Sequence, residues 1–173
     1  MIKGFVKKKE SKFQKWKLYK TMGIDREDAI GFLKRVKEAL QGMKWSLSYG
    51  TLLGAVRENN FIKGDIDVDT LLYFEHEDKL KEIVGRLKKL GCKAGIVGGY
   101  NQPFIQIYYK KVPGHITMAR QGTFRAKFFE EKMRTGTIQG IEFPIPSNAE
   151  NILTELYGDW KTPVSTEEWY KSH

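Results

Sequence analysis

Hydrophobic positions along this chain switch between two spacings. After Asp25, Ala29, Leu33, Val36 and Leu40 recur at helical intervals; with Asp28 three residues beyond Asp25 they predict an N-capped helix that stops at Gly42. "KWSLSY" alternates and predicts a strand running into Gly50-Thr51. "LLGAVR" then predicts a short helix and "ENNFIKG" a turn-rich connector. Residues 66–74, "IDVDTLLYF", start with period two and are rich in β-branched and aromatic side chains, so they predict a strand. Leu80, Ile83, Val84, Leu87 and Leu90 predict another amphipathic helix, closed by Gly91.

Beyond Gly91 the pattern becomes short alternations. "KAGIVG", "PFIQIYY" and "HITMA" read as strands, the last two joined through "KKVPG" as a hairpin. "RAKFFEEKM" fits helix and strand equally, and "TIQGIEFPIP" reads as a further hairpin or extended segment. Ser147 and Glu150 read as a capping box for a helix carrying Ile152, Leu153 and Leu156 and ending at Gly158. With no repeat, linker or composition shift, residues 23–173 are expected to form one α+β domain, a mixed sheet with helices packed mainly on one side. Residues 1–22 form a separate basic, aromatic arm.

Composition narrows the partners. A chain of 173 residues with 40% hydrophobic and 13% aromatic content can build one sizeable core. Cys92, the single cysteine, has no partner for a bridge and is expected in that core. The lysine-rich start is not followed by the apolar run of a secretory signal, and no stretch approaches the roughly 18 residues of a membrane span. A cytoplasmic protein is the expectation. The net charge of +9 calls for an anionic partner: nucleic acid, phospholipid surface, or phosphorylated or nucleotide substrate. Eight of the lysines lie in residues 1–20, among Phe5, Phe13, Trp16 and Tyr19. Such a segment either makes a peripheral contact with the inner, anionic face of a membrane or is a solvated arm with a few aromatics packed on the domain.

Asp65, Asp67 and Asp69 carry the candidate chemistry. On one continuous strand, side chains at i, i+2 and i+4 share a face, with neighbouring carboxylates roughly 6 to 7 Å apart. Left unneutralised on a half-buried strand, such a row costs several kcal/mol or must protonate. A hard divalent cation resolves the conflict, and Mg²⁺ (or Mn²⁺) takes one or two carboxylates plus substrate phosphates. The plainer alternative is an edge strand whose acids are hydrated or paired with basic residues. Gly50-Thr51 offers backbone N–H groups at a strand-to-helix turn, and Arg57 and Lys63 supply positive charge for phosphate. "GIVGGYNQP" lacks the Lys-Ser/Thr of a Walker motif and reads as a turn.

"LSYGTLLGAVRENNFIKGDIDVD" and, further on, "FPIPSNAENILTELYGDWKTP" together resemble the two signature segments of the LicD family, phosphocholine and fukutin-type ribitol-phosphate transferases of the polymerase-β-like nucleotidyltransferase superfamily. The resemblance spans residues 45–163. It implies a nucleotidyltransferase fold and Asp67 and Asp69, with Asp65 ahead of them, as metal-binding and catalytic acids. Gly50, Thr51 and Arg57 would be the donor phosphate site, joined by Lys63, which is read from its charge and lies between Arg57 and the acids. Tyr157, Gly158, Asp159 and Trp160 would line the donor pocket; their plain reading is a capped helix end with aromatics on the core. Three departures stand out. Gly64 replaces the usual Trp and Lys63 the usual Pro; a later strand acid is replaced within "HITM", where Thr117 stands in its place; and residues 95–140 read as a trimmed acceptor-recognising region. Glu142 or Glu75 are candidates to supply the missing carboxylate, and His115 reads either as a base or as a structural residue.

The implied activity is transfer of a phospho-alcohol from a CDP-linked alcohol to a glycan or glycolipid hydroxyl. Alternatives are transfer of a nucleoside monophosphate to a small molecule or RNA, or a degenerate relative that binds nucleotide or glycan without chemistry. An obligate nucleic-acid module is disfavoured, because the acids would repel a phosphate backbone unless metal intervenes.

Overall fold

A computed structural model describes residues 23–98, 102–165 and 168. The basic arm at residues 1–22 and the Gly-Tyr-Asn part of the predicted turn lie outside them. Helix α1 (Arg26–Ala39) begins as expected: Asp25 is the N-cap, and its Oδ1 accepts the Asp28 N–H at 2.8 Å. Strand β1 (Trp45–Leu47) leads through Ser48 into α2 (Tyr49–Arg57), which starts earlier than the apolar pattern indicated. Strand β2 (Val68–Tyr73) continues through a 3₁₀ segment (Phe74–Lys79) into α3 (Leu80–Lys89), whose Leu80, Ile83 and Leu87 are buried.

Strands β3 (Lys93–Val97), β4 (Phe104–Tyr109) and β5 (Val112–Ala119) follow. A two-residue turn joins β4 to β5, with Lys110 in the left-handed region at φ 51°. The ambiguous "RAKFFEEKM" is mainly 3₁₀: Phe124–Phe129 turn tightly because Phe128 and Phe129 must both reach the core. Strands β6 (Met133–Ile138) and β7 (Ile141–Pro146) form the second hairpin, turned by Gln139 and Gly140, both at positive φ as a type I′ turn requires. Helix α4 (Ala149–Tyr157) closes the domain and ends at Gly158, φ 64°.

The capping box is a correction. Asn148, not Ser147, is the N-cap, and the Ser147 hydroxyl donates to Glu131 instead, at 2.9 Å. The β7 strand runs to Pro146, so the helix start falls one residue later.

Five strands form one mixed sheet in the order β1-β2-β5-β4-β3, with only β2 and β5 parallel. Helices α1 and α3 cover one face, tied together by Arg35 Nε donating to Leu90 O at 2.8 Å. Gly114 lets α1 come this close: a Cβ there would stand 2.4 Å from the fully buried Phe32 ring and 2.4 Å from Val68 O. Since side chains alternate along a strand, the next residue, His115, faces away from α1. The opposite face is covered in part, by α2 over β2, by the 3₁₀ segment Phe124–Phe129 over β5 and β2, and by the β6-β7 hairpin beside β1, which leaves a cavity at the start of β2. Cys92 is buried and free, as expected.

Candidate active site

Strand β2 is shorter than the acidic pattern suggested, and that changes the site. Pairing with β5 begins at Val68, so Asp69 lies on the strand, Asp67 sits just before it and Asp65 belongs to the preceding loop. The three carboxylates therefore do not form one strand face. Asp65 turns back under the start of α2: a Cβ on Gly50 would stand 3.0 Å from Asp65 Oδ2. This is the physical reason for glycine at position 50. One oxygen, Oδ1, accepts the Ile66 N–H at 3.0 Å, while Oδ2 is sealed from solvent with no hydrogen-bond partner among the described residues. Burial, then the charges of Asp67 and Asp69, push its pKa up to about 8. At neutral pH Asp65 is mostly a neutral acid, close to the cluster but not part of it.

The group that does converge is Asp67, Asp69 and His115, each offering one ligand atom, all within 4.8 Å of one another. His115 Nδ1 stands 3.4 Å from Asp69 Oδ1 and 3.9 Å from Asp67 Oδ2. The parallel register sets this meeting, because Asp69 is level with His115 and Leu71 with Thr117. Thr117 is thus one step beyond the acids, its hydroxyl directed to Thr70 O at 3.4 Å. The β5 position level with Asp69 belongs to His115, while Thr117 lines the same cavity two residues further along the strand. Neither Glu75 nor Glu142 joins the group: Glu75 is exposed on the 3₁₀ segment after β2 and Glu142 exposed on β7.

Electrostatics agree with a site built for positive charge. Burial and the neighbouring Asp69 raise Asp67 to about 6, against an opposing pull from His115. Interaction with Asp69 raises His115, against the cost of its burial. In metal-free protein the imidazolium partly neutralises two crowded acids. A divalent cation supplies more charge at the same place, and the donor set, two carboxylates and an imidazole at the wall of a cavity of about 450 Å³, fits one.

Thr51 is buried, and its Oγ1 accepts the Asp69 N–H at 3.0 Å while Ser48 N–H donates to Asp69 O at 3.1 Å. Its side chain anchors the start of β2 to α2 and does not line the cavity. Arg57 is also elsewhere: its guanidinium pairs with Glu58 at 2.6 Å and donates to Trp160 O at 3.0 Å. Lys63 is exposed on the loop and absent from the cavity wall. Trp160 is buried, with Nε1 donating to Thr154 Oγ1 at 3.1 Å, which matches the plain account of a helix end packed on the core. Tyr157 is raised by burial and then by Asp65 and Asp69, which places it near the acids.

Residues 42–148 match the family described as LicD/FKTN/FKRP, nucleotidyltransferase domain. The chain belongs to the LicD family. None of the curated proteins compared with this LicD domain matches it. Similar solved structures include a cytoplasmic RNA terminal U-transferase, at 11% identity and TM-score 0.40 over 61% of this chain and 33% of that one. The Cid1 poly(U) polymerase bound to MgATP gives 8% identity and TM-score 0.42 over 61% and 36%, and Cid1 with the UTP analogue UMPNPP 11% and 0.39 over 61% and 35%. The LicD chain spans about a third of each of these proteins.

Tyr49 and Arg125 are among the cavity residues of the LicD domain that escaped the sequence reading. Tyr49 takes a left-handed conformation, φ 46°, at the first position of α2, a strain of order 1 kcal/mol or more for a bulky residue. The bend directs its hydroxyl to Arg125, whose Nε donates to it at 3.0 Å. Both line the cavity that holds Asp67, Asp69 and His115. A lone arginine in an ambiguous segment gave no signal; only the fold carries it to the acids.

Asp65 supports a pH prediction for metal-free protein. Its carboxyl titrates near the ordinary 3.8 when unfolded and near about 8 when folded. The folded state holds the extra proton between these values, so this contribution to stability is complete below about pH 4 and lost as pH rises through about 8. The slope reaches at most about 1.4 kcal/mol per pH unit. In chelator-treated protein, Asp65→Asn is expected to flatten unfolding free energy against pH across that window. Superimposable wild-type and variant curves would overturn the assignment.

Proposed function

We propose that this LicD domain is a metal-dependent transferase. It moves a phospho-alcohol (phosphocholine, ribitol phosphate or glycerol phosphate) from a CDP-linked donor to a glycan or glycolipid hydroxyl. The observation that supports this most is the convergence of Asp67, Asp69 and His115 in one cavity that also contains Arg125. Carboxylates alone would repel a diphosphate; acids that can hold Mg²⁺ or Mn²⁺, beside a fixed guanidinium, can receive one.

The acceptor hydroxyl oxygen bonds to the phosphorus carrying the alcohol, the bond from that phosphorus to the bridging oxygen breaks, and CMP leaves with the electron pair. Asp67 and Asp69 would hold the cation, which when bound offsets charge on the diphosphate and on the leaving CMP. One of these acids receives the acceptor's proton. Arg125, braced by Tyr49, binds phosphate oxygens, the role first read onto Arg57. Thr51 keeps Asp69 in register. Catalysis is then mainly positioning and fixed electrostatics.

Membrane contact through residues 1–22 fits a lipid-linked acceptor and belongs to this proposal. No helix among the described residues is long and apolar enough to cross a membrane.

The products test the reading. Incubation with CDP-choline, CDP-ribitol or CDP-glycerol, Mn²⁺ and a glycan acceptor should release CMP and label the glycan. Pyrophosphate released from a nucleoside triphosphate would instead assign nucleotidyl transfer, and a melting temperature indifferent to Mn²⁺ plus CDP would assign a catalytically degenerate relative. Arg125→Ala should raise the donor KM about tenfold or more, as loss of a charge-assisted phosphate contact predicts. Arg57→Ala should lower stability and leave that KM nearly unchanged.

A further inference from the structure

We propose that His115 is a metal ligand, and that the site it completes favours a first-row transition ion over Mg²⁺. This rests on the reading of Asp67 and Asp69 as metal-holding acids and adds which metal they hold.

Three observations carry the proposal. The donor atoms are two carboxylate oxygens and one imidazole nitrogen, with His115 Nδ1 at 3.4 Å and 3.9 Å from the nearer oxygens of Asp69 and Asp67. Donors that each bind an ion at about 2.1 Å stand about 3.0 Å apart when adjacent and about 4.2 Å apart when opposite. The separations thus need only small side-chain rotations to close on one ion.

Second, the imidazole is placed by the backbone and not by a flexible loop. The parallel register of β2 and β5 sets His115 level with Asp69, and the Phe104 ring packs edge-on against it, centroids 5.6 Å apart. Third, the half-buried nitrogen lines the same cavity as both acids, leaving open positions for substrate oxygens or water.

The metal preference follows from the nitrogen. Mg²⁺ is a hard ion that takes oxygen and parts reluctantly with its water, so an imidazole gains it little. Mn²⁺, Co²⁺ and Zn²⁺ accept nitrogen with increasing strength, and carboxylates suit Mn²⁺ as well. Replacing one oxygen donor by nitrogen therefore widens the gap between these ions and Mg²⁺.

Affinity for Mn²⁺, Co²⁺ and Mg²⁺ is measured by calorimetry on wild type, His115→Asp and His115→Ala. All sites of this kind prefer transition ions to Mg²⁺ to some degree, so the informative quantity is the change in the Co²⁺-to-Mg²⁺ affinity ratio. Wild type should exceed His115→Asp in that ratio by about tenfold or more. Pulsed electron paramagnetic resonance on Mn²⁺-loaded wild type should show coupling to an imidazole ¹⁴N that both variants lack. An unchanged ratio, or no nitrogen coupling in metal-bound protein, overturns the assignment and makes His115 a charge partner of the acids. If Mn²⁺ fails to bind at all, the metal-dependent transferase reading fails with it. If Mn²⁺ binds and Asp69→Asn abolishes that binding while the nitrogen signal is missing, only the His115 proposal falls. Matching circular dichroism spectra for the three proteins exclude misfolding as the cause.

Discussion

Asp69→Asn is expected to lower phospho-alcohol transfer by about a thousandfold or more while leaving the fold intact. Asp69 is held in the cluster by backbone hydrogen bonds to its neighbours. Its N–H is bound by Thr51 Oγ1 at 3.0 Å, its carbonyl by Ser48 N–H at 3.1 Å, and its carboxylate faces His115 Nδ1 at 3.4 Å. The asparagine oxygen keeps the shape and loses the charge, so a cation meets half the negative charge it needs. Stability should move the other way. The charge of Asp69 is one reason Asp67 stands near about 6, so the variant relieves a repulsion and lets Asp67 titrate lower. In metal-free protein the melting temperature should hold or rise slightly, which separates loss of chemistry from loss of structure. Turnover within tenfold of wild type, with a donor assay that detects wild-type activity, would remove Asp69 from the catalytic group.

Gly54→Ala is expected to give the largest loss of stability, about 3 kcal/mol or more, because the new methyl has nowhere to go. A Cβ at position 54 would lie 2.3 Å from Asn60 O, 3.1 Å from Ile62 N and 3.2 Å from Phe61 Cα. All three are backbone atoms of the loop that folds over α2, and a backbone cannot rotate aside as a side chain tip can. Gly54 O also accepts from Glu58 N–H at 3.0 Å and Asn60 N–H at 3.3 Å, so the loop is bound at the point where the clash occurs. That loop carries Phe61 into the core and leads past the buried Asp65 to Asp67 at the site. Activity should therefore fall with stability. Chemical denaturation reads the first effect and Mn²⁺ affinity the second. A variant as stable as wild type would mean that the loop is not packed on α2 as described.

The match between sequence and structure is close for elements whose pattern reports their own burial. The α1 and α3 stripes, the alternation of β4 and the hairpin at Gln139-Gly140 are local facts, because a helix or turn forms from neighbours in the chain. The Gly-Thr-Leu-Leu-Gly motif was legible as a motif, but its physical reasons were not. Gly50 makes room for a buried acid, Thr51 fastens the start of β2, and Gly54 seats a loop. Each reason involves an atom distant in sequence or on another element.

The acidic row is the clearest difference. Period two brought Asp67 and Asp69 together correctly but overran the strand, because a strand exists only as far as its partner pairs with it and β5 meets β2 no earlier than Val68; Asp67, one step before, still reaches the cluster, and Asp65 does not. The same pairing decided which residue of "HITM" faces the acids. Arg57 lies away from the cavity and Arg125 on its wall for a comparable reason: charge and nearness in sequence recommend Arg57, whereas Glu58 and Trp160 O already hold it.

By itself, the amino-acid sequence determined the α+β class, the helix and hairpin boundaries to within a few residues, membership of the LicD family and the two acids, Asp67 and Asp69, that converge in the cavity. Those features rest on periodicity, turn residues and motif, all written in consecutive positions. Only the tertiary structure decided that Asp65 is buried apart, that His115 completes the cluster and that Arg125 shares the cavity. Each of these depends on strand register or loop packing between distant segments, and such contacts are set by the closing of the whole core.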